Sequence, residues 1–169
     1  RVCNCPGTNS VAVAELTFGL MIALDRKIVD ETDDLRHGLW KKQEYSKARG
    51  LKGRTLGIVG LGRIGYEVTK RAQAFEMNVI YSDVIANERV ERELGIRKVA
   101  FEKLLEESDF VTLHVPGGAE TKHMIGREQL ALMKPTAFLI NCARGGIVNE
   151  QALADAIENG KLAGAAMDV

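Results

Sequence analysis

The run from Thr55 to Val68, TLGIVGLGRIGYEV in one-letter code, decides the fold. A short apolar stretch meets three glycines spaced G-x-G-x-x-G, and an amphipathic stretch follows at once. Strand, tight turn and helix is the reading this order supports. Each glycine then has its own task. Gly60 permits the turn, Gly62 lets a pyrophosphate approach the backbone, and Gly65 lets helix and strand pack closely. The helix N-terminus supplies free N–H groups and a partial positive charge suited to phosphate. A glycine-rich turn that binds nothing is the alternative.

The segment NVIYSD narrows the choice, because Asp83 closes the next apolar run about 20 residues after the loop, the separation at which an acid meets a ribose. A carboxylate there accepts hydrogen bonds from ribose hydroxyls and repels a 2′-phosphate, which points to NAD over NADP. Taken alone, Asp83 is equally readable as a strand-end turn residue.

Outward from the loop, short β-rich runs alternate with longer amphipathic ones, the pattern of βαβ units and a parallel sheet. Strands are expected at Thr55 to Val59, Val79 to Ser82, Lys98 to Ala100, Phe110 to His114, Ala137 to Asn141 and Ala163 to Met167. Their nearly continuous apolar character fits strands covered on both faces. Helices fit at Arg63 to Phe75, Glu88 to Leu94, Phe101 to Glu107, Arg127 to Met133 and Glu150 to Asn159, the last capped by Asn149 and stopped by Gly160. The expected class is α/β: a Rossmann-type doubly wound parallel sheet with helices on both faces. Ahead of it, Val11 to Leu24 reads as a buried helix, and the charged stretch Asp25 to Lys52, with the single indole of Trp40, as a surface helix and a linker.

Composition sets outer bounds. The 169 residues are 46% hydrophobic, enough for one domain with a real core. The 23 basic and 23 acidic residues cancel, so neither nucleic acid nor an anionic membrane is an expected partner. The longest apolar stretch is interrupted by Glu15 and is too short to span a bilayer. Cys3, Cys5 and Cys142 form no disulfide framework, which suggests reduced thiols in the cytoplasm. A Cys-x-Cys pair can bind metal, but no second pair joins it, so no metal site is expected. The chain starts at Arg1 and stops at Val169, inside what reads as a strand. It is therefore expected to be one nucleotide-binding domain, residues 1–169, of a larger protein.

Ligands of a doubly wound sheet sit beyond the carboxyl ends of its strands. There the sequence offers His114-Val115-Pro116, Asn141-Cys142-Ala143-Arg144 and Asp168. His114 is read as a hydrogen-bonded structural residue rather than a proton shuttle. Arg144 presents planar, bidentate donors suited to a carboxylate, and Gly145-Gly146 permit close approach of a ligand. A surface arginine paired with a neighbouring acid is the competing reading.

In order, GLGRIG, an Asp at a second strand end, HVP, NCARGGIV and GAAMDV strongly resemble the D-isomer-specific 2-hydroxyacid dehydrogenases. The likeness covers nearly the whole chain, including the opening NCPGTNSVAVAELTFGLMIAL. NCARGGIV is most similar to the version in D-3-phosphoglycerate dehydrogenases of serine synthesis. The resemblance implies that Arg63 and Ile64 bring loop amides to the pyrophosphate and that Asp83 binds the adenosine ribose. It implies that Val115 and Pro116 line the cofactor cleft, that Cys142, Ala143 and Arg144 meet the nicotinamide half, and that Asp168 holds the nicotinamide-side region. Arg144 also grips the substrate. The catalytic glutamate and histidine of that family lie downstream of GAAMDV.

The implied reaction is NAD-dependent interconversion of a D-2-hydroxy acid and its 2-keto acid, with 3-phosphoglycerate the first substrate to consider. Glyoxylate or hydroxypyruvate reduction and D-lactate oxidation are alternatives, and an NAD-sensing corepressor is an alternative of another class. Asn9 to Leu24 resembles the element through which family members dimerise, so a homodimer is expected. One departure stands out: Gly117-Gly118 occupy positions where relatives usually carry a bulkier apolar residue and Pro, implying more backbone freedom near the cleft.

Overall fold

The computed structural model describes residues 7–169, so Cys3 and Cys5 lie outside the described residues. At the centre stands strand β1 (Thr55–Val59), nearly all of it buried. It pairs in parallel with β2 (Asn78–Ser82) on one side and β4 (Phe110–Leu113) on the other. Strand β3 (Arg97–Lys98) flanks β2, while β5 (Phe138–Asn141) and β6 (Gly164–Met167) continue beyond β4. The six-stranded order is therefore β3-β2-β1-β4-β5-β6, all parallel, and the chain reverses its direction of winding between β1 and β4. That is the expected doubly wound sheet. β3 starts earlier and is shorter than expected, since both of its residues are exposed at the sheet's edge.

Alternation along the strands separates two apolar layers. Leu56, Ile58, Tyr81, Phe110 and Ile140 face α1 (Ser10–Arg26), α4 (Arg63–Ala74) and α5 (Glu88–Leu94). Val59, Ile80, Val111, Leu113 and Leu139 face the other way, where Leu104, Leu130 and Leu153 come from α6 (Phe101–Glu107), α7 (Arg127–Leu132) and α8 (Glu150–Glu158). Caps end these helices as their sequences suggest. Asn87 and Asn149 accept from the backbone N–H groups of Val90 and Ala152, and Gly95 and Gly160 follow α5 and α8 with φ of 61° and 64°.

The stretch read as one surface helix and a linker holds two short helices, α2 (Ile28–Arg36) and α3 (Lys42–Tyr45), neither with a buried residue. α1 buries Ala14, Thr17, Phe18 and Met21, and Phe18 stacks on Phe75 at 5.2 Å. It is thus covered on one face rather than all round. Among the described residues no helix is long and apolar enough to cross a membrane.

The amino edge of the sheet is closed by charge. Arg54 Nη1 donates to Asp25 Oδ1 at 2.6 Å, and the side chains are only 6% and 4% exposed. Its guanidinium lies 4.1 Å from the centre of the Phe110 ring. Asp25 Oδ2 also accepts from the Gly50 N–H, so the pair ties α1 and the 50–54 turn to the sheet. Removing one partner of such a pair leaves an uncompensated buried charge. Asp25→Ala should therefore cost about 3 kcal/mol of stability, read by urea unfolding. Glu15→Ala, which removes an exposed partner of Arg71, should cost under about 1 kcal/mol. Equal effects would refute the assignment.

Candidate functional site

Strand register decides what shares the carboxyl edge. Val59 pairs with Ser82 and Leu113, Leu113 with Asn141, and Asn141 with Met167. One residue further on, Asp83, Gly60, His114, Cys142 and Asp168 therefore form a single row, ~19 Å long at the usual strand spacing. Backbone hydrogen bonds carry the ladder into that row: Gly60 N–H to Ser82 O at 2.9 Å, His114 N–H to Val59 O at 2.8 Å and Asp168 N–H to Asn141 O at 3.0 Å. The expected site residues thus come together by topology, along an edge long enough for an extended dinucleotide.

The three loop glycines differ in the way their sequence roles require. Gly60 has φ 95°, and a Cβ on it would stand 2.8 Å from the His114 carbonyl oxygen. A Cβ on Gly65 would stand 2.5 Å from the Gly60 carbonyl oxygen, which is how closely α4 sits on the turn. Around Gly62 there is open space, as a ligand-facing position demands. Gly62 is also the N-cap of α4, with extended backbone, so the first-turn amides of Arg63 and Ile64 lie at the edge. The Ile64 side chain packs into the core, while Arg63 is exposed, its stem against Gly7.

Asp83 holds the loop directly. Its Oδ2 accepts from the Leu61 N–H at 2.7 Å. This bond was not foreseen, since only the carboxylate's reach towards ribose was legible in the sequence. It braces the turn and leaves Oδ1 with a long 3.4 Å contact to the Ile85 N–H.

His114 is held as a structural residue: Nε2 lies 2.9 Å from Thr112 Oγ1. Burial pushes its pKa down to about 4, so the ring is neutral at pH 7. Nδ1 is enclosed with no hydrogen-bond partner among the described residues. Val115 is half-buried beside Gly60, and Pro116 is exposed.

At the end of β5, Cys142 and Ala143 are each only 7% exposed. Burial pushes the Cys142 thiol up, opposed by a hydrogen bond with Thr17 and reinforced by the charge of Asp168. The Cys142 side chain therefore points into the layer under α1, leaving its backbone on the edge. Arg144 is exposed, with Nη1 donating to the Ala143 carbonyl at 2.6 Å. Asn141 shapes this corner: fully buried, it donates through Nδ2 to Arg144 O at 3.0 Å and accepts the Ala143 N–H at 3.0 Å. Its signal was an Asn at a strand end before small residues, the setting of an Asx turn. Asp168 is exposed at the end of β6. No cluster of metal-ligating side chains is present among the described residues.

The family model described as D-isomer specific 2-hydroxyacid dehydrogenase, NAD binding domain, matches residues 18–169. The chain belongs to this family. Over 169 residues it is 47% identical to a D-3-phosphoglycerate dehydrogenase of Methanocaldococcus jannaschii, covering 99% of this chain and 32% of that protein. Over 174 residues it is 48% identical to a glyoxylate reductase of Thermococcus litoralis, covering 99% and 53%. Among solved structures, a D-lactate dehydrogenase from Aquifex aeolicus complexed with NAD and lactic acid superimposes with a TM-score of 0.91 at 38% identity, covering 98% of this chain and 49% of that one. The chain thus spans a third to a half of the length of these relatives. Within the family it corresponds to the NAD-binding domain, and the open cradle at Gly62 and the Asp83 carboxylate fit that cofactor.

The glycine geometry separates folding from binding. Gly62→Ala should leave the melting temperature nearly unchanged and weaken NADH binding by about tenfold or more, since the new methyl enters the phosphate approach. Gly65→Ala should lower the melting temperature, because its methyl meets a fixed carbonyl. Thermal unfolding and NADH fluorescence titration check both. Unchanged NADH affinity in Gly62→Ala would remove the loop from the site.

Proposed function

We propose that this chain is the nucleotide-binding half of an NAD-dependent dehydrogenase that interconverts a D-2-hydroxy acid and its 2-keto acid. The observation that carries the proposal is the single row at the carboxyl edge, with the glycine loop and Asp83 at one part and Arg144 beyond the end of β5. Loop amides of Arg63 and Ile64 receive the pyrophosphate, and the α4 N-terminus adds its partial positive charge. Asp83 accepts from the adenosine ribose and disfavours a 2′-phosphate. Val115 and Pro116 line the cleft, the Cys142 and Ala143 backbones border the nicotinamide half, and Asp168 lies beside it. Bound NAD supplies the hydride acceptor. Arg144 releases the Ala143 carbonyl and grips the substrate carboxylate with paired donors, polarising the keto group alongside. The proton donor and its glutamate belong to sequence beyond residue 169.

For the substrate, 3-phosphoglycerate is the first choice, supported by NCARGGIV and by the phosphoglycerate dehydrogenase relative. A glyoxylate reductase is equally similar, so glyoxylate and hydroxypyruvate belong in the same assay. A homodimer through the N-terminal helix region is part of the proposal. The supporting surface lies past α1, where Val29 is 71% and Trp40 68% exposed. A patch of that kind suits a second copy of the same chain.

Two measurements test this reading. NAD should bind more tightly than NADP, and Arg144→Lys in the full-length protein should keep NAD affinity while turnover on a 2-keto acid falls about tenfold to a hundredfold, the value of a lost charged hydrogen bond. Preference for NADP would overturn the role of Asp83, and retained turnover that of Arg144. Light scattering should give a dimer that Trp40→Glu dissociates; a wild-type monomer would defeat the pairing.

A further inference from the structure

Gly117 lies in HVPGGAETKHMIG, beside the cleft. Its backbone is outside the left-handed region that favours glycine, so the turn does not demand one there. What a side chain would meet instead is Arg144. A Cβ on Gly117 would stand 3.1 Å from Arg144 Cγ and 3.2 Å from Arg144 Cβ, well inside ordinary van der Waals contact. The neighbouring Gly118 is different. Its backbone is extended, with φ 166° and ψ 179°, and a Cβ there would meet nothing within 4 Å. The two glycines therefore have separate meanings, and freedom of the backbone is not what Gly117 provides.

Arg144 has little room to retreat. Asn141 holds its carbonyl and the preceding N–H, at 3.0 Å each. The following turn is tied to the 123–125 segment by His123 N–H to Gly146 O at 2.8 Å and Ile125 N–H to Ile147 O at 3.1 Å. With the backbone fixed on both sides, extra volume at position 117 has to be accommodated by rotating the arginine stem away from its rotamer. Such a rotation moves the guanidinium, the group that has to find the substrate.

We propose that Gly117 is a positioning residue for Arg144: its missing side chain leaves the space in which the arginine stem swings from the Ala143 carbonyl to a 2-keto acid's carboxylate. This rests on the role given to Arg144 above. The residue acts through Arg144 and touches neither substrate nor cofactor in this account.

The test uses the full-length protein with Gly117→Ala, Gly117→Val, Gly118→Ala and Arg144→Lys, measuring KM for the 2-keto acid, kcat, NADH dissociation constant and melting temperature. Gly117→Ala should raise KM several-fold and Gly117→Val on the order of tenfold to a hundredfold, the range expected for a misplaced binding group. NADH affinity and melting temperature should stay near wild type, and Gly118→Ala should be silent. Wild-type KM in both Gly117 variants overturns the proposal, as does an equal loss in Gly118→Ala, or a loss of KM that follows NADH affinity and melting temperature. If Arg144→Lys leaves KM and turnover unchanged, the underlying reading of Arg144 fails. If Arg144→Lys is impaired and the Gly117 variants are not, the positioning role fails alone.

Discussion

Helix α4 begins where it does because nothing stands between Gly65 and the carbonyl of Gly60. A single methyl at that point would approach the oxygen to 2.5 Å, and the helix would have to move off β1. Its N-terminus would then no longer point at the carboxyl edge, and the free amides of the first turn would miss the row that the strand register builds. The brace from Leu61 N–H to Asp83 serves the same end from the neighbouring strand. Backbone contact at one corner, with no side chain between, fixes the relation of β1, β2 and α4 on which the site depends.

The two ends of the sheet use polar groups in opposite ways. At the amino edge every charge is turned inward and met: Arg54 by Asp25 and the Phe110 ring, and Asp109 by the Thr55 N–H at 2.9 Å and Lys134 at 3.3 Å. At the carboxyl edge Gly62 faces open space and Arg144 and Asp168 are exposed. The difference follows from what parallel strands offer. Their connections cross at both ends, but the glycine turn and the helix N-termini gather unpaired donors at the carboxyl end alone. Stability is built where the groups are satisfied, and ligand binding where they are not.

Most of the elements were legible because their causes are local. The run TLGIV, bounded by Gly53 and Gly60, is β1 with the expected limits, and the caps at Asn87 and Asn149 mark α5 and α8. The stretch from Ile28 to Tyr45 was less legible. Its two helices bury nothing among the described residues, so no periodic core face betrays their ends. The Asp83 brace was hidden for another reason: a carboxylate at a strand end has two oxygens, and sequence cannot say which neighbour claims one of them.

By itself the sequence determined the alternation of strands and helices, the glycine loop with its acid, and the family. Those properties reside in spacing along the chain and in residue types that few local structures tolerate. Only the tertiary structure decided that Arg54 meets Asp25, that Asn141 clamps the Arg144 corner from inside the core, and that Gly117 abuts the Arg144 stem. Two of these contacts join residues 27 or more positions apart, and the third depends on which face of β5 is buried. Each is set by which strands become neighbours and which way their side chains alternate, and packing of the whole sheet fixes both.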